Sequence, residues 1–223
     1  MTVKDLLRPL PGVKRLSRLR QRLSFTGSAH YWERNYAHGG TSGDGSYGEL
    51  AQAKAEFLNA FVRENDVRSV TEFGCGDGHQ LSLAEYPRYV GLDVSPAAIG
   101  ICNPLFAQDP TKSFFRYDGA CFVDRAGLFA ADLALSLDVI YHLVEDPLFE
   151  TYLTHLFAAG GRYVVIYATN APVRNTAPHV RHRHFALDRG KLSAMATCAA
   201  KRGPNSGPGL ADFFVYERLV TGA

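Results

Sequence analysis

The chain has 223 residues, of which 46% are hydrophobic and 21% charged, as expected for one globular domain with a full core. Its formal net charge of +2 gives no reason to expect a nucleic-acid partner, and no apolar run approaches the ~20 residues of a membrane helix. The four cysteines are scattered without a CxxC pair, and the N-terminus does not read as a secretory signal, so we predict reduced thiols in a cytoplasmic protein.

Residues 1–25 form a basic arm that is rich in lysine and arginine and contains a single acid, Asp5. Its leucines at 16, 19 and 23 have helical spacing, which permits a basic amphipathic helix on an anionic membrane or a partner. The alternatives are a solvated arm, packed or not on a second subunit, and an arginine-rich transit peptide, against which the prolines at 9 and 11 argue. We expect residues 26–223 to form the single domain.

Residues 31–48 (YWERNYAHGGTSGDGSYG) join aromatic residues at helical spacing to a long glycine-serine loop. A loop of this length is more typical of a lid over a site than of a connector, although a disordered tether is the alternative. Candidate contacts with a ligand are Tyr31, Trp32, Ser42, Ser46 and Tyr47. An amphipathic helix is predicted next, over residues 49–64.

The sequence EFGCGDG at 72–78 lies between a predicted strand (67–73) and a predicted helix start (79–85). Glycines in such a turn let the backbone bend tightly and approach a ligand. About 20 residues after Glu72, the next strand (88–94) ends in Asp93, the position at which a doubly wound fold presents an acid to a ribose. The combination predicts a nucleoside-type ligand, and the alternative is an ordinary turn with an exposed acid.

The charges of this motif indicate which nucleoside is bound. Sites for dinucleotides and for P-loop phosphates leave the turn neutral or basic, whereas here Glu72 and Asp77 flank the glycines and no P-loop lysine is present. Two carboxylates repel a pyrophosphate but suit a ligand that carries an ammonium and a sulfonium.

The remaining elements continue the alternation of strands and helices. Ser95-Pro96 is an N-cap with proline at the first helical position of a helix that runs to about residue 107. Strands are predicted at 113–117, 132–140, 162–168 and 211–219, and a helix at 147–159. Residues 187–203 have an untidy apolar pattern, and residues 203–209 (GPNSGPG) read as a turn.

The sequences EFGCGDG and GLDVS resemble motifs I and II of class I S-adenosylmethionine-dependent methyltransferases. The resemblance implies an α/β, Rossmann-like, doubly wound seven-stranded sheet, mostly parallel with an antiparallel C-terminal strand and helices on both faces. It also implies that the glycine loop passes under the methionine part of S-adenosyl-L-methionine and that Asp93 binds the ribose hydroxyls. Asp118 would accept a hydrogen bond from the adenine amine, the alternative being a plain acid at a strand end. The cofactor residues so implied are Glu72, Gly74, Cys75, Gly76, Asp77, Gln80, Asp93, Val94, Ser95, Asp118, Leu137 and Asp138.

The segment after the fourth strand resembles motif IV, with Asp138 at the carboxyl end of the strand and His142 just beyond it. Methylation of a hydroxyl requires removal of one proton, which suits a histidine with a pKa near neutrality. We therefore predict His142 as the general base, oriented by Asp138 or Glu145. The alternative is a packed histidine that holds the strand end.

Residues 178–185 (PHVRHRHF) concentrate histidine and arginine past the end of the fifth strand. One interpretation is a positively charged pocket for an anionic or polyhydroxylated substrate. A second is a metal site formed by His182 and His184 with Asp138 or His142, and a third is a solvated basic edge.

Together these segments resemble a narrower group of bacterial polysaccharide and capsule methyltransferases, which includes the mycobacterial methylmannose polysaccharide 1-O-methyltransferase. The resemblance implies methyl transfer to a hydroxyl of a small sugar or oligosaccharide. The substrate residues so implied are Tyr31, Trp32, Ser46, Tyr47, His142, Tyr167, His179, Arg181 and His182.

Two alternatives remain at this stage: methylation of a phosphoramidate or phosphate oxygen of a capsular precursor, and a non-catalytic module that only binds the cofactor. The sequence permits a divalent metal such as magnesium without requiring one. It is compatible with a homodimer, and it predicts neither a nucleic-acid partner nor an integral membrane segment.

Overall fold

The computed structural model describes residues 25–172, 177–185, 195–197 and 211–218. The predictions for the basic arm up to residue 24, for most of the untidy segment at 187–203 and for the turn at 203–209 lie outside these residues. Within the described part of the chain, no helix has the length and apolarity needed to cross a membrane.

A mostly parallel sheet forms the centre of the molecule. Its strands are β1 (Val70–Phe73), β2 (Tyr89–Asp93), β3 (Lys112–Arg116), β4 (Ala131–Leu137), β5 (Gly160–Ala168), β6 (Met195–Thr197) and β7 (Asp212–Arg218), in the spatial order β3-β2-β1-β4-β5-β7-β6. The first five strands are parallel, and β7 is antiparallel to both β5 and β6. This confirms the predicted Rossmann-like sheet with an antiparallel C-terminal strand. The predicted count of seven depends on the three residues of β6 and stays a prediction.

Helices cover both faces of the sheet, because strand side chains alternate between the faces and both sets are apolar. The helices are α1 (Ser28–Ala37), α2 (Gly48–Glu64), α3 (Pro96–Leu105) and α4 (Asp146–Ala159). On one face Leu58 of α2 packs in a cluster with Leu133 and Leu135 of β4. On the other face Leu156 of α4 packs with Ala134 of β4.

The prediction of a helix beginning at residue 79 is wrong. The chain after the glycine loop forms only a three-residue 3₁₀ turn, Leu81–Leu83. A helix N-terminus that could attract a pyrophosphate through its dipole is therefore absent from this turn. The strand order matters more for the site, because the switch between β1 and β4 opens a crevice at the carboxyl ends of these strands.

Candidate functional site

A cavity of about 870 Å³, including the part open to solvent, lies at the carboxyl ends of β1, β2 and β4. The helix α1 and the loop that follows it cover the cavity. The cavity brings together thirteen residues that the sequence predicted: Trp32, Ser42, Ser46, Glu72, Gly74, Cys75, Gly76, Gln80, Asp93, Val94, Leu137, Asp138 and His142.

The cavity wall is acidic. Its lining includes the carboxylates of Glu72, Asp93 and Asp138. Among the described residues, the lining contains no lysine and no arginine. Glu72 accepts a hydrogen bond of 2.6 Å from the hydroxyl of Tyr89, and burial raises the pKa of Glu72 to about 7. Burial likewise raises the pKa of Asp93 to about 6. A buried carboxylate is costly to ionise without a counter-charge. A cationic ligand in this cavity would therefore stabilise the ionised forms of Glu72 and Asp93.

Gln80 supplies an independent test of which ligand the cavity fits. Its Nε2 donates to the carbonyl oxygen of Ala51 at 3.0 Å, whereas its buried Oε1 has no hydrogen-bond partner among the described residues. An unpaired buried acceptor costs free energy until a donor reaches it. A ligand with an ammonium group near Glu72 would satisfy both side chains, so the residues present fit the methionine end of S-adenosylmethionine.

Asp93 is fixed by the turn on which it lies. Its Oδ2 accepts from the backbone N–H of Gly76 and its Oδ1 from that of Ser95, each at 2.9 Å. Ser95 itself does not line the cavity, which corrects its prediction as a cofactor residue. Its hydroxyl caps α3 by accepting from Ala98 and donates to Glu33 of α1.

Asp77 and Tyr47 connect the covering loop to the glycine loop and do not line the cavity, contrary to the prediction for both. Oδ2 of Asp77 accepts hydrogen bonds of 2.8 Å from the hydroxyl of Tyr47 and from the backbone N–H of Ser42. The ring of Tyr47 stacks on His79. Both carboxylate oxygens of Asp77 are thereby used, since Oδ1 accepts from the N–H of His79.

The helix α1 is attached at both ends of the cavity. The carboxylate of Glu145 accepts from the backbone N–H and the hydroxyl of Ser28, at 2.9 and 2.6 Å. On the opposite side, Glu33 accepts from the hydroxyl of Ser95 and the N–H of Ala97. The covering helix is therefore closed over the cavity in this structure.

Asp118 does not reach the cavity, contrary to its predicted contact with adenine. It is exposed, and its Oδ1 accepts from the N–H of Ala120. The preceding residue, Tyr117, lines the cavity instead, with its hydroxyl 2.9 Å from Nδ1 of His155.

Directly after β4, which lies on the other side of β1 from β2 and its Asp93, Asp138 lines the cavity. Its Oδ2 pairs with the ammonium of Lys54 at 2.6 Å, and its Oδ1 accepts from the hydroxyl of Tyr141 at 2.9 Å. Sequence reasoning missed Lys54. A charged residue among the apolar positions of an amphipathic helix was the available signal, and Lys54 of α2 is 1% exposed.

His142 is held by a backbone carbonyl. Its Nδ1 lies 3.0 Å from the carbonyl oxygen of His179, and because a carbonyl only accepts, Nδ1 carries the proton. Neither Asp138 nor Glu145 orients the ring, which corrects that prediction, because Lys54 and Tyr141 bind the first carboxylate and Ser28 the second. Burial lowers the pKa of His142 to about 4, well below the near-neutral value that the prediction assumed, so the ring is neutral at pH 7.

A second, more open cavity adjoins the first, and His142 lines both. It measures about 930 Å³ with its open part, and Trp32, Ser42 and Asp138 are also shared between the two. Two further predicted residues, Tyr31 and His179, line this outer cavity and stack on each other at 4.0 Å between ring centroids.

The arginines of the segment 178–185 do not form the predicted anion pocket. Arg181 and Arg183 each lie 3.0 Å from Oδ1 of Asp146, and both donate to the carbonyl of Val144. They hold the loop that follows His142. Arg181 and Arg183 therefore give no support to phosphoramidate as the acceptor, because their guanidinium groups are already paired.

The other two predicted substrate residues also lie elsewhere. His182 contacts the hydroxyl of Thr169 through Nδ1, and Tyr167 is buried beside Phe213. Neither lines either cavity. Among the described residues, no group of three or more histidine, cysteine or acidic side chains is arranged to hold a metal ion.

The cavity also contains residues that sequence reasoning did not select. They are Ser28, Ala29, Tyr36, Tyr117, Val139, Leu143, Leu148 and Tyr152. Most are apolar or aromatic residues whose pattern signals only burial, so the sequence alone gave no reason to separate them from the core.

No protein-family model matches the chain. A segment of 108 residues is 29% identical to a small RNA 2′-O-methyltransferase of Arabidopsis thaliana, covering 44% of this chain and 12% of the plant protein. The match therefore concerns a small part of that longer protein.

Two solved structures share the fold at low sequence identity. The N-methyltransferase NodS of Bradyrhizobium japonicum, in complex with S-adenosyl-L-homocysteine, has a TM-score of 0.64 at 16% identity, over 86% of this chain and 98% of that one. The methyltransferase domain of bacterial CtHen1-C has a TM-score of 0.62 at 16% identity, over 76% of this chain and 99% of that one. The chain thus has the α/β, Rossmann-like fold of S-adenosylmethionine-dependent methyltransferases.

Proposed function

We propose that this chain transfers a methyl group from S-adenosylmethionine to a hydroxyl of a small sugar or oligosaccharide, with His142 as general base. One observation carries the proposal: His142 lines both the acidic cavity and the open outer cavity, with Nδ1 held by the carbonyl of His179. Nε2 is then the ring nitrogen left to accept a proton.

The acidic cavity supplies the cofactor site in this proposal. Glu72 and Oε1 of Gln80 would hold the ammonium, and Asp93 the ribose, while Tyr117 and Leu148 would line the adenine end. When bound, S-adenosylmethionine supplies a methyl group on a positively charged sulfur.

The protein's own contribution is alignment, exclusion of water and proton removal. The helix α1 covers the first cavity and limits its access to water, which favours a fixed approach of the acceptor oxygen. A neutral His142 takes the hydroxyl proton on Nε2, and the carbonyl of His179 stabilises the resulting positive charge through the Nδ1–H bond. The neighbouring ring of Trp32, 4.8 Å from that of His142 between centroids, restricts the movement of the imidazole.

The similarity to a plant protein named as a 2′-O-methyltransferase supports a hydroxyl as the acceptor. The test is an assay of the purified chain with methyl-labelled S-adenosylmethionine against mono- and oligosaccharides, with and without EDTA. Transfer of the labelled methyl group to a sugar, in an amount that EDTA does not lower, would support the proposal. Loss of activity with EDTA and recovery with magnesium would replace base catalysis by a metal mechanism.

Two other outcomes would overturn the proposal. Label in phosphoramidates but in no sugar would change the acceptor class. Binding of S-adenosylhomocysteine without turnover on any acceptor would indicate a non-catalytic binding module.

A further inference from the structure

A depression on the outer side of α1 adjoins the acceptor cavity, and we infer that it binds the nucleotide part of a nucleotide-linked acceptor sugar. The inference rests on the proposed function. The depression measures about 830 Å³ with its open part. Its lining residues are Phe25, Thr26, His30, Tyr31, Arg34, Asn35, His38, Pro178 and His179.

The wall formed by α1 carries basic side chains, among which the guanidinium of Arg34 is always charged. His30, Arg34 and His38 follow each other at intervals of four residues, which places them on one face of a helix, and all three are exposed. The described lining contains no acid. This polarity is the reverse of that in the cofactor cavity, so the two sites select ligands of opposite charge.

Arg34 is available to an anion in a way that the other arginines near the site are not. Among the described residues, no carboxylate lies within ion-pair distance of its guanidinium, whereas Arg181 and Arg183 are paired with Asp146. The contact between His38 and Arg34 uses the backbone carbonyl of Arg34 and leaves the guanidinium free. A planar guanidinium with unused N–H groups is the side chain best suited to bind a phosphate.

Aromatic rings line the same depression as Arg34. The ring centroids of Phe25 and Tyr31 lie 6.4 Å apart, and Tyr31 stacks on His179. Proteins that bind single-stranded nucleic acid without sequence preference combine cationic groups for the phosphates with aromatic faces for the bases. The depression therefore offers both halves of a nucleotide site.

The depression continues into the acceptor cavity, because Tyr31, Asn35 and His179 line both. A sugar next to His142 could thus be joined through its phosphates to a base beside Phe25. A single arginine limits the site to one or two phosphates, which favours a small nucleotide-linked sugar over a polymer.

Isothermal titration calorimetry on the full chain tests the inference, with uridine diphosphate, uridine diphosphate glucose, uridine and inorganic phosphate as probes. We expect the two diphosphates to bind and uridine or phosphate alone to bind at least tenfold more weakly. Arg34→Gln should weaken binding of the diphosphates at least tenfold, because it removes a charge-assisted contact. Arg63→Gln, which removes an exposed arginine from α2, is the matched control and should change it less than twofold.

Titration with S-adenosylhomocysteine in the same samples separates this inference from the proposed function. Binding of S-adenosylhomocysteine but of neither diphosphate would overturn the inference alone, and equal losses in Arg34→Gln and Arg63→Gln would also overturn it. Diphosphate binding without S-adenosylhomocysteine binding would support the depression as a nucleotide site and count against the proposed function. Binding of oligoribonucleotides with an affinity that rises with their length would indicate RNA as the acceptor and overturn the inference of a small nucleotide-linked sugar.

Discussion

The ammonium of Lys54 lies 2.6 Å from Oδ2 of Asp138, and the two side chains are only 2% and 14% exposed. Asp138 has a φ of 60°, in the left-handed region that residues with a side chain rarely adopt. The ion pair thus fixes a strained residue at the end of β4, four positions before His142. The ion pair therefore both supplies a counter-charge to the Asp138 carboxylate and fixes the backbone from which the segment with His142 continues.

Replacing Lys54 by methionine should lower the free energy of unfolding by about 3 kcal/mol, because the buried carboxylate of Asp138 loses its counter-charge while the apolar volume is nearly kept. Urea unfolding followed by circular dichroism measures the effect. The exposed pair of Asp66 and Arg68 provides the control, since their side chains are 74% and 76% exposed. Arg68→Met should cost less than about 1 kcal/mol, and equal costs for the two variants would contradict our view of the buried pair.

Cofactor affinity should depend on pH through the two buried carboxylates. Burial raises the pKa of Glu72 to about 7 and that of Asp93 to about 6. Both are increasingly protonated as the pH falls. A neutral Glu72 attracts the ammonium less than its carboxylate does, and a neutral Asp93 accepts hydrogen bonds from the ribose hydroxyls less strongly. The affinity for S-adenosylhomocysteine, measured by calorimetry, should therefore fall between pH 7.5 and pH 5.

The variant Glu72→Gln separates the contribution of this carboxylate. It should bind S-adenosylhomocysteine more weakly than the unmodified chain at pH 7.5 and show a flatter pH profile, because one of the two titrating groups is gone. An affinity of the unmodified chain that stays constant across this range would show that Glu72 does not face the ammonium.

Residues at strand ends were predictable because topology alone places them. Glu72, Asp93 and Asp138 follow or end apolar runs that could only be buried strands, and parallel strands bring their carboxyl ends to one edge of the sheet. Asp77 and Asp118 had equally suggestive positions in the sequence. Their directions depend on local partners, Tyr47 and Ser42 for the first and the N–H of Ala120 for the second, which spacing does not reveal.

Lys54 illustrates the second limit of sequence reasoning. A lysine among apolar positions of a helix indicates a buried charge, but its partner Asp138 is 84 residues away along the chain. The arginines of the segment 178–185 show the converse. Their density suggested a pocket for an anion, whereas the fold directs them onto Asp146 and the carbonyls of residues 143 and 144.

Replacing His142 by glutamine should lower kcat for sugar methylation by a factor of about 10² to 10⁴, the usual size of a general-base contribution. Affinity for S-adenosylhomocysteine should change little, because the carboxylates and Gln80 are untouched. His184→Gln is the matched control, since His184 is exposed and lines neither cavity, and it should keep full activity. A His142→Gln variant with kcat within threefold of the unmodified chain would remove the general base from the mechanism.

The pH dependence of kcat provides a second reading of the same residue. Burial lowers the pKa of His142 to about 4, so the base is already neutral above about pH 5. At saturating cofactor, kcat should be level between pH 6 and pH 8 and fall only as the pH approaches 4. A fall in kcat with its midpoint near pH 6.5 would indicate a solvent-exposed imidazole, in conflict with the contacts of His142 to His179 and Trp32.

Gly76 is the point at which the glycine loop meets the covering loop. Its φ is 57°, and a Cβ there would overlap Oγ of Ser42 and lie 2.9 Å from the hydroxyl oxygen of Tyr36. Gly76→Ala should therefore lower the free energy of unfolding by about 1–2 kcal/mol through backbone strain. It should also weaken S-adenosylhomocysteine binding at least tenfold, because the covering loop is displaced from the cavity. Thermal unfolding and calorimetry measure the two effects.

Gly100 of α3 supplies the opposite case within the same chain. A Cβ at Gly100 meets nothing within 4 Å, so Gly100→Ala should raise the free energy of unfolding by about 0.5–1 kcal/mol, as expected for alanine in a helix.

Adding Ser42→Gly to Gly76→Ala removes the overlapping hydroxyl and should restore part of the lost affinity without removing the backbone strain. If the double variant binds no better than Gly76→Ala, the overlap with Ser42 is not what displaces the covering loop in Gly76→Ala.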